Sequence, residues 1–131
     1  MSIDIACYYM TLLEGSSFSP SLGGWMGQEI FGELVAAARR GVKIRIVQQL
    51  PSRTMPDDDV QNLTRNGYAH ARSIDFKKVM KDQGGILHTK MLIVDNVSAY
   101  IGSANMGTAE KIFDFMDRMR KFLIYLMMGS T

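Results

Sequence analysis

The residues in this sequence whose types and spacing admit chemistry are His88, Lys90, Asp95, Ser103 and Asn105. His88-Thr89-Lys90 is followed, after four intervening residues, by Asp95 and, after six more, by Gly102-Ser103-Ala104-Asn105. The stretch Ile86 to Val94 is apolar except for His88, Thr89 and Lys90 and reads as a strand, so His88 and Lys90 leave the same face. An imidazole and an ammonium half-buried side by side are costly unless an anion sits in front of them. A phosphate oxyanion meets that need, with Lys90 neutralising its charge and His88 in reach of phosphorus. Asp95, at the end of the strand, could accept a hydrogen bond from an imidazole N–H and fix its tautomer, whether the imidazole is this chain's own or a facing one. Ser103 and Asn105 offer neutral donors to phosphate oxygens from a tight loop in which Gly102 admits close backbone approach. The set describes a phosphoryl-transfer site without a metal or other cofactor, because the carboxylate clusters and Cys/His spacing of a metallophosphodiesterase are missing from the sequence. The other histidine, His70, lies in His70-Ala71-Arg72 with no following G-S-x-N, and reads as a strand or surface residue.

These groups must be positioned by a chain of 131 residues, 47% hydrophobic and 21% charged, which fits one soluble domain with a buried core. Fifteen Lys and Arg against thirteen Asp and Glu give no bulk electrostatic case for nucleic acid or an anionic membrane. The single cysteine, Cys7, excludes an intrachain disulfide and a cysteine-rich zinc site. The longest apolar run, Phe122 to Met128, has seven residues. A bilayer span needs roughly 18 to 20. No signal-peptide pattern is expected from the first residues, which Ser2 and Asp4 interrupt.

Ile3 to about Thr11 reads as a buried strand and Glu14 to Gly24 as a Gly/Ser/Pro loop. A helix is expected from about Gly27, with Ile30, Phe31, Leu34, Val35 and Ala38 on one side, Arg39 and Arg40 in its last turn and Gly41 just beyond. Val42 to Leu50 predicts a strand with Val42, Ile44 and Ile46 on one face. Asp57, Asp58 and Asp59 precede Val60 and Leu63 as acids precede a helix, which should end at Asn66-Gly67. As a metal cluster they fail, because adjacent residues there point in different directions. A strand over Tyr68 to Ile74 leads to the basic residues Lys77, Lys78 and Lys81 and a turn at Gly84-Gly85. A short strand, Ala99 to Ile101, returns after Asp95-Asn96. Strands alternating with helices predict α/β architecture with a mixed sheet.

The motif spacing matches that of the phospholipase D superfamily without a gap, and the chain is identified as a member on that ground. Six specified residues at fixed spacing would arise by chance on the order of once in a million sequences of this length. Ile3 to Leu12, Arg40-Gly41-Val42-Lys43-Ile44-Arg45 and Gly102-Ser103-Ala104-Asn105-Met106 resemble the first half of the animal phospholipase-D-like proteins of the endoplasmic reticulum and lysosome. Some of those are 5′ exonucleases on single-stranded nucleic acid. The resemblance implies one α/β lobe, a mixed, mostly parallel sheet flanked by helices, over residues 1–106. It implies that His88 is either the nucleophile forming a phosphohistidine or the general acid for the leaving oxygen. Lys90 and Asn105 would hold the phosphate with Ser103 assisting, and Asp95 would orient an imidazole. The substrate would be a phosphodiester, in a phospholipid or a single-stranded nucleic acid. The family uses two such motifs, and this chain has one. A homodimer pairing two copies of His88, or a second half, would complete the site.

Residues 107–131 depart from the family. Ile112, Met116, Met119, Leu123 and Leu126 recur at alternating four and three residues, so Thr108 to Met128 predicts an amphipathic helix stopped by Gly129. Asp114, Asp117, Arg118, Arg120 and Lys121 exclude a membrane span. A terminal helix packed on the sheet is the simplest expectation. A dimerisation helix, a surface anchor on a membrane, or sequence that replaces a second half are alternatives. A catalytically silent phosphate-binding module competes with the enzyme. Arg72, Lys77, Lys78 and Lys81 read as a solvated basic face more readily than as a polyanion track, and Tyr8, Tyr9, Phe18 and Trp25 as packing more readily than as stacking platforms.

Overall fold

The structure is a computed structural model that describes residues 1–13, 24–81 and 83–107, together with Asp117, Arg120, Lys121, Leu123 and Ile124. Most of the expected Glu14 to Gly24 loop with Phe18, and most of the tail helix with Ile112, Met116, Met119, Leu126 and Gly129, lie outside the described residues.

Strand β1 spans Ser2–Cys7, with Ile3, Ile5 and Cys7 buried on one face. The expected continuation to Thr11 does not occur. Met10 and Leu12 are also buried, but they are even-numbered, and a strand cannot bury odd and even positions on one face. The chain breaks at Tyr8-Tyr9 and resumes as β2, Met10–Thr11, in a separate two-stranded sheet with β7, Met106–Gly107.

Helix α1 spans Gly24–Arg39 and buries Met26, Ile30, Leu34 and Ala37, a run at helical spacing. It starts about a turn before the expected Gly27. A Cβ at Gly27 would collide with the backbone carbonyl of Leu12, so this glycine lets the helix lie directly on that segment. Gly41, at φ +89°, ends the helix in the left-handed region and turns the chain into β3, Lys43–Gln49. Its buried face is Ile44, Ile46 and Gln48, with Val42 just outside the strand. Helix α2, Asp58–Arg65, contributes Val60 and Leu63 to the core, and β4, His70–Ile74, follows. Where a plain basic stretch was expected, Asp75 accepts a hydrogen bond from the Lys77 backbone N–H at 3.1 Å and starts a short helix, α3, Phe76–Val79. Strand β5 spans Lys90–Val94 and β6 spans Ser98–Ile101.

The main sheet has the order β4-β3-β1-β5-β6. β1, β3 and β4 are parallel, β5 is antiparallel to β1, and β6 is antiparallel to β5. Four strands thus run one way and β5 alone opposes them, the mixed, mostly parallel α/β sheet expected. Ile3, Ile5, Cys7, Ile44, Ile46, Leu92 and Val94 form one cluster with the apolar residues of α1 and α2, which places both helices on that face. Leu123 belongs to the same cluster, and Arg120 lies over the Trp25 ring and 2.8 Å from Glu29 of α1. The opposite face carries Asp4 and Arg45, joined by two hydrogen bonds, beside Val47, His70, Arg72 and Met91 around a concavity of about 630 Å³.

Candidate active site

The sheet brings three chain segments to one end: the exit of β1, the entry of β5 and the exit of β6. The register pairs Cys7 with Lys90 and Met91 with Ile101, so Tyr8, His88 and Gly102 fall beside one another. Open α/β sheets bind ligands at the carboxyl ends of their parallel strands, and this is that end for β1, β3, β4 and β6.

His88 does not lie in the strand. Regular pairing starts at Lys90, and residues 84–89 stand outside any ladder, with the Leu87 N–H donating to Gln49 Oε1 at 2.7 Å instead. His88 and Lys90 are therefore not neighbours on a pleated face as expected. His88 is exposed, and Lys90 is only 4% exposed. They are joined by Lys90 Nζ donating to the His88 carbonyl at 2.8 Å. Both also meet Tyr8: its ring stands edge-on to the imidazole at 5.0 Å, and Lys90 Nζ lies 5.9 Å from its centroid. Burial holds the Lys90 ammonium below the usual lysine range. A carbonyl and a ring face bear no net charge, so an ammonium held by them keeps its attraction for an anion.

The G-S-x-N loop is pinned to the same place by the Gly102 N–H, which donates to the Lys90 carbonyl at 3.0 Å. A side chain at Gly102 would run into the Tyr100 phenol. Ser103 is exposed, while Asn105 is half-buried with its Oδ1 out of solvent and unpartnered. A buried amide oxygen without a partner costs about 1–3 kcal/mol, which a bound group that completes the amide's hydrogen bonding would recover.

Asp95 is not part of this cluster. It caps the far end of β5, five strand residues beyond the Lys90 end, or roughly 17 Å at about 3.4 Å per residue. Its Oδ1 accepts from the Ser2 N–H at 2.6 Å and its own N–H donates to the Ser2 carbonyl at 3.0 Å. Asp95 and Asn96 both adopt left-handed backbone, at φ +52° and +57°, to turn the hairpin into β6. Asp95 thus clamps the start of β1 to the hairpin and stands away from this chain's own His88, one of the two imidazoles, its own or a facing one, that the sequence left open for it. His70 opens β4 on the opposite sheet face, away from the site.

The three aspartates open α2 as expected, Asp57 at the N-cap and Asp58 and Asp59 in the first turn. Asp57 stands at the N-cap of α2 but makes no side-chain cap, accepting instead from Gln61 Nε2 at 2.6 Å. Asp59 is buried and accepts from the backbone N–H groups of Leu12 and Leu13 at 2.5 and 2.9 Å. Desolvation pushes its carboxyl up, partly opposed by those two hydrogen bonds. Among the described residues no three His, Cys, Asp or Glu groups stand together as metal ligands. Burial pushes the Cys7 thiol up to about 12, which keeps it protonated and unreactive. Tyr8 is the site residue that sequence reasoning assigns to packing. The lost alternation at Tyr8-Tyr9, where the chain leaves the sheet, is the signal available for it.

A mixed α/β lobe that gathers H-x-K and G-S-x-N at one sheet end defines the phospholipase D superfamily of phosphodiesterases, and the chain belongs to it. Residues 1–110 match the family model described as cardiolipin synthase, PLD-like domain. The chain is similar to phospholipase D Z of Dictyostelium discoideum, with 50% identity over 105 residues covering 80% of this chain and 24% of that protein. It is 46% identical over 104 residues to phospholipase D Y of the same organism, covering 79% and 23%. It is 37% identical over 105 residues to the human 5′-3′ exonuclease PLD3, covering 80% and 21%. The chain thus spans about a quarter or less of the length of these relatives. Among the described residues no helix is long and apolar enough to cross a membrane.

Proposed function

We propose that this chain forms half of a phosphodiester-hydrolysing site, with residues 1–106 as the working lobe and 107–131 as an appended tail. The observation that carries the reading is the buried Lys90 ammonium, held by a carbonyl and a ring rather than by a carboxylate, beside an exposed imidazole. In the reaction, an imidazole nitrogen of His88 attacks phosphorus. The N–P bond forms as the P–O bond to the leaving group breaks, and a second imidazolium gives that oxygen its proton. Water, deprotonated by the same second imidazole, then cleaves the phosphohistidine. Lys90 neutralises the phosphate, and Asn105 and Ser103 complete its hydrogen bonds. The second imidazole comes from another copy of His88 across a twofold axis or from the remainder of a longer protein, and each copy of His88 can fill either role.

The names of the relatives, phospholipase D and 5′-3′ exonuclease, support both phospholipid and nucleic acid as sources of the phosphodiester. Hydrolysis of bis(p-nitrophenyl) phosphate, measured across the fractions of a gel-filtration run, tests the proposal. Activity should follow a dimer, vanish in His88→Ala and survive chelators. A chain that stays monomeric and never turns over, yet binds phosphate through Lys90, would be the silent phosphate-binding module instead.

A further inference from the structure

Among the described residues, several of the large apolar side chains most open to solvent gather beside the site. Leu50 is 46% exposed, Val79 63%, Met80 45% and Ile86 51%. Their segments are tied together. Leu50 donates its N–H to the Ile74 carbonyl at 3.0 Å, alongside the strand that leads into α3. The Val79 and Met80 N–H groups close α3 onto Asp75 and Phe76. A Cβ on Gly85 would sit 3.5 Å from the Phe76 ring, and Leu87 is held by Gln49, the neighbour of Leu50. The block therefore forms one lip over the carboxyl ends of β3 and β4, and it runs directly into His88.

The same lip carries exposed Lys77, Lys78 and Lys81. Residues 75–83 hold three lysines against Asp75 and Asp82, and Asp75 is engaged by the Lys77 N–H and by Lys78 Nζ at 3.7 Å. Bare aliphatic and thioether groups interspersed with ammonium groups match the boundary where acyl chains meet anionic headgroups. They match a single-stranded nucleic acid poorly, since that ligand asks for aromatic faces between the cations. We propose that Leu50, Val79, Met80 and Ile86, with Lys77, Lys78 and Lys81, dock this chain on the surface of an anionic bilayer and bring headgroup phosphodiesters to His88. Turnover of the docked lipid rests on the phosphodiesterase reading, whereas docking itself does not.

The test is co-sedimentation of the full chain with vesicles of phosphatidylcholine containing phosphatidylglycerol and with vesicles of phosphatidylcholine alone. Binding to the first should exceed binding to the second and weaken with salt. Each Lys→Gln change at 77, 78 or 81 should weaken it about fivefold. Val79→Asp with Ile86→Asp should abolish it while leaving the circular dichroism spectrum intact, because both sites are on the surface. His88→Ala should bind as wild type does, and wild-type docking without lipid turnover would leave docking standing while removing the form of the phosphodiesterase reading in which two copies of His88 complete the site. Absence of binding to anionic vesicles, binding unchanged in the aspartate variant, or lysine changes that weaken only a single-stranded oligonucleotide would overturn the docking proposal.

Discussion

Replacing Lys90 by Met keeps the length and most of the apolar stem and removes the ammonium. In the native chain Lys90 is 4% exposed, and its ammonium donates to the His88 carbonyl at 2.8 Å and lies below the usual lysine range because of burial. Losing the charge-assisted hydrogen bond costs about 1.5–3 kcal/mol, and relief from burying an ion returns several kcal/mol. Stability at neutral pH should therefore be unchanged or raised by about 1–2 kcal/mol. Phosphate affinity should fall by ten- to a hundredfold, the equivalent of about 1.5–3 kcal/mol for a hydrogen bond to a charged group. The pH dependence has a definite sign. A native pKa below the unfolded one means that the folded chain holds fewer protons, so this group makes stability rise with pH between its lowered value and the ordinary 10.5. Lys90→Met loses that rise. Urea denaturation followed by far-ultraviolet circular dichroism from pH 7 upward, for both proteins, reads the difference, and phosphate titration reads the affinity. A variant less stable than wild type by more than about 2 kcal/mol, with a difference flat in pH, would refute the reasoning. Lys90 would then be a structural strut and not an anion site.

Gly27→Ala should destabilise by about 1–3 kcal/mol or more in thermal unfolding, since the new methyl meets the Leu12 carbonyl, a backbone group with little room to retreat. Asp95→Ala should cost about 1.5–3 kcal/mol through loss of its bond to the Ser2 N–H, while phosphate binding stays as in wild type; a matching loss of binding would return the residue to the site. Asp59, whose native pKa is raised above its ordinary 3.8, takes up more protons folded than unfolded, so its contribution to stability falls as pH rises from that value through the native one. Asp59→Asn should remove this fall in acid-range urea titrations. Cys7 should react with a thiol reagent only after denaturant unfolds the chain.

Much of the α/β order was legible locally. The spacing of Ile30 and Leu34, the glycines at 41 and 67 with φ of +89° and +73°, and the alternation in β3 all report on neighbours a few residues away. The misreadings share a cause. Ile86 to Val94 looks like one strand because hydrophobicity cannot distinguish a residue that pairs from one that is extended without pairing, and Gln49 supplies the partner that releases Leu87 from the ladder. Ile3 to Thr11 likewise looks continuous until burial shows that Cys7 and Met10 must face the core from positions of opposite parity.

The sequence by itself determined the family, singled out His88, Lys90, Ser103 and Asn105 as site candidates, and limited cysteine chemistry to one thiol, because fixed spacings of rare residue combinations survive without any knowledge of contacts. It left open whether Asp95 serves this chain's own imidazole or a facing one. Only the tertiary structure placed Asp95 at the far end of β5 from Lys90, since distance along one strand grows by about 3.4 Å per residue whatever the chemistry at its ends. Only the tertiary structure brought Tyr8 to His88, Gly102 to Lys90 and Leu50 to the lip of α3, because proximity between strands is set by register and topology, which no local pattern encodes.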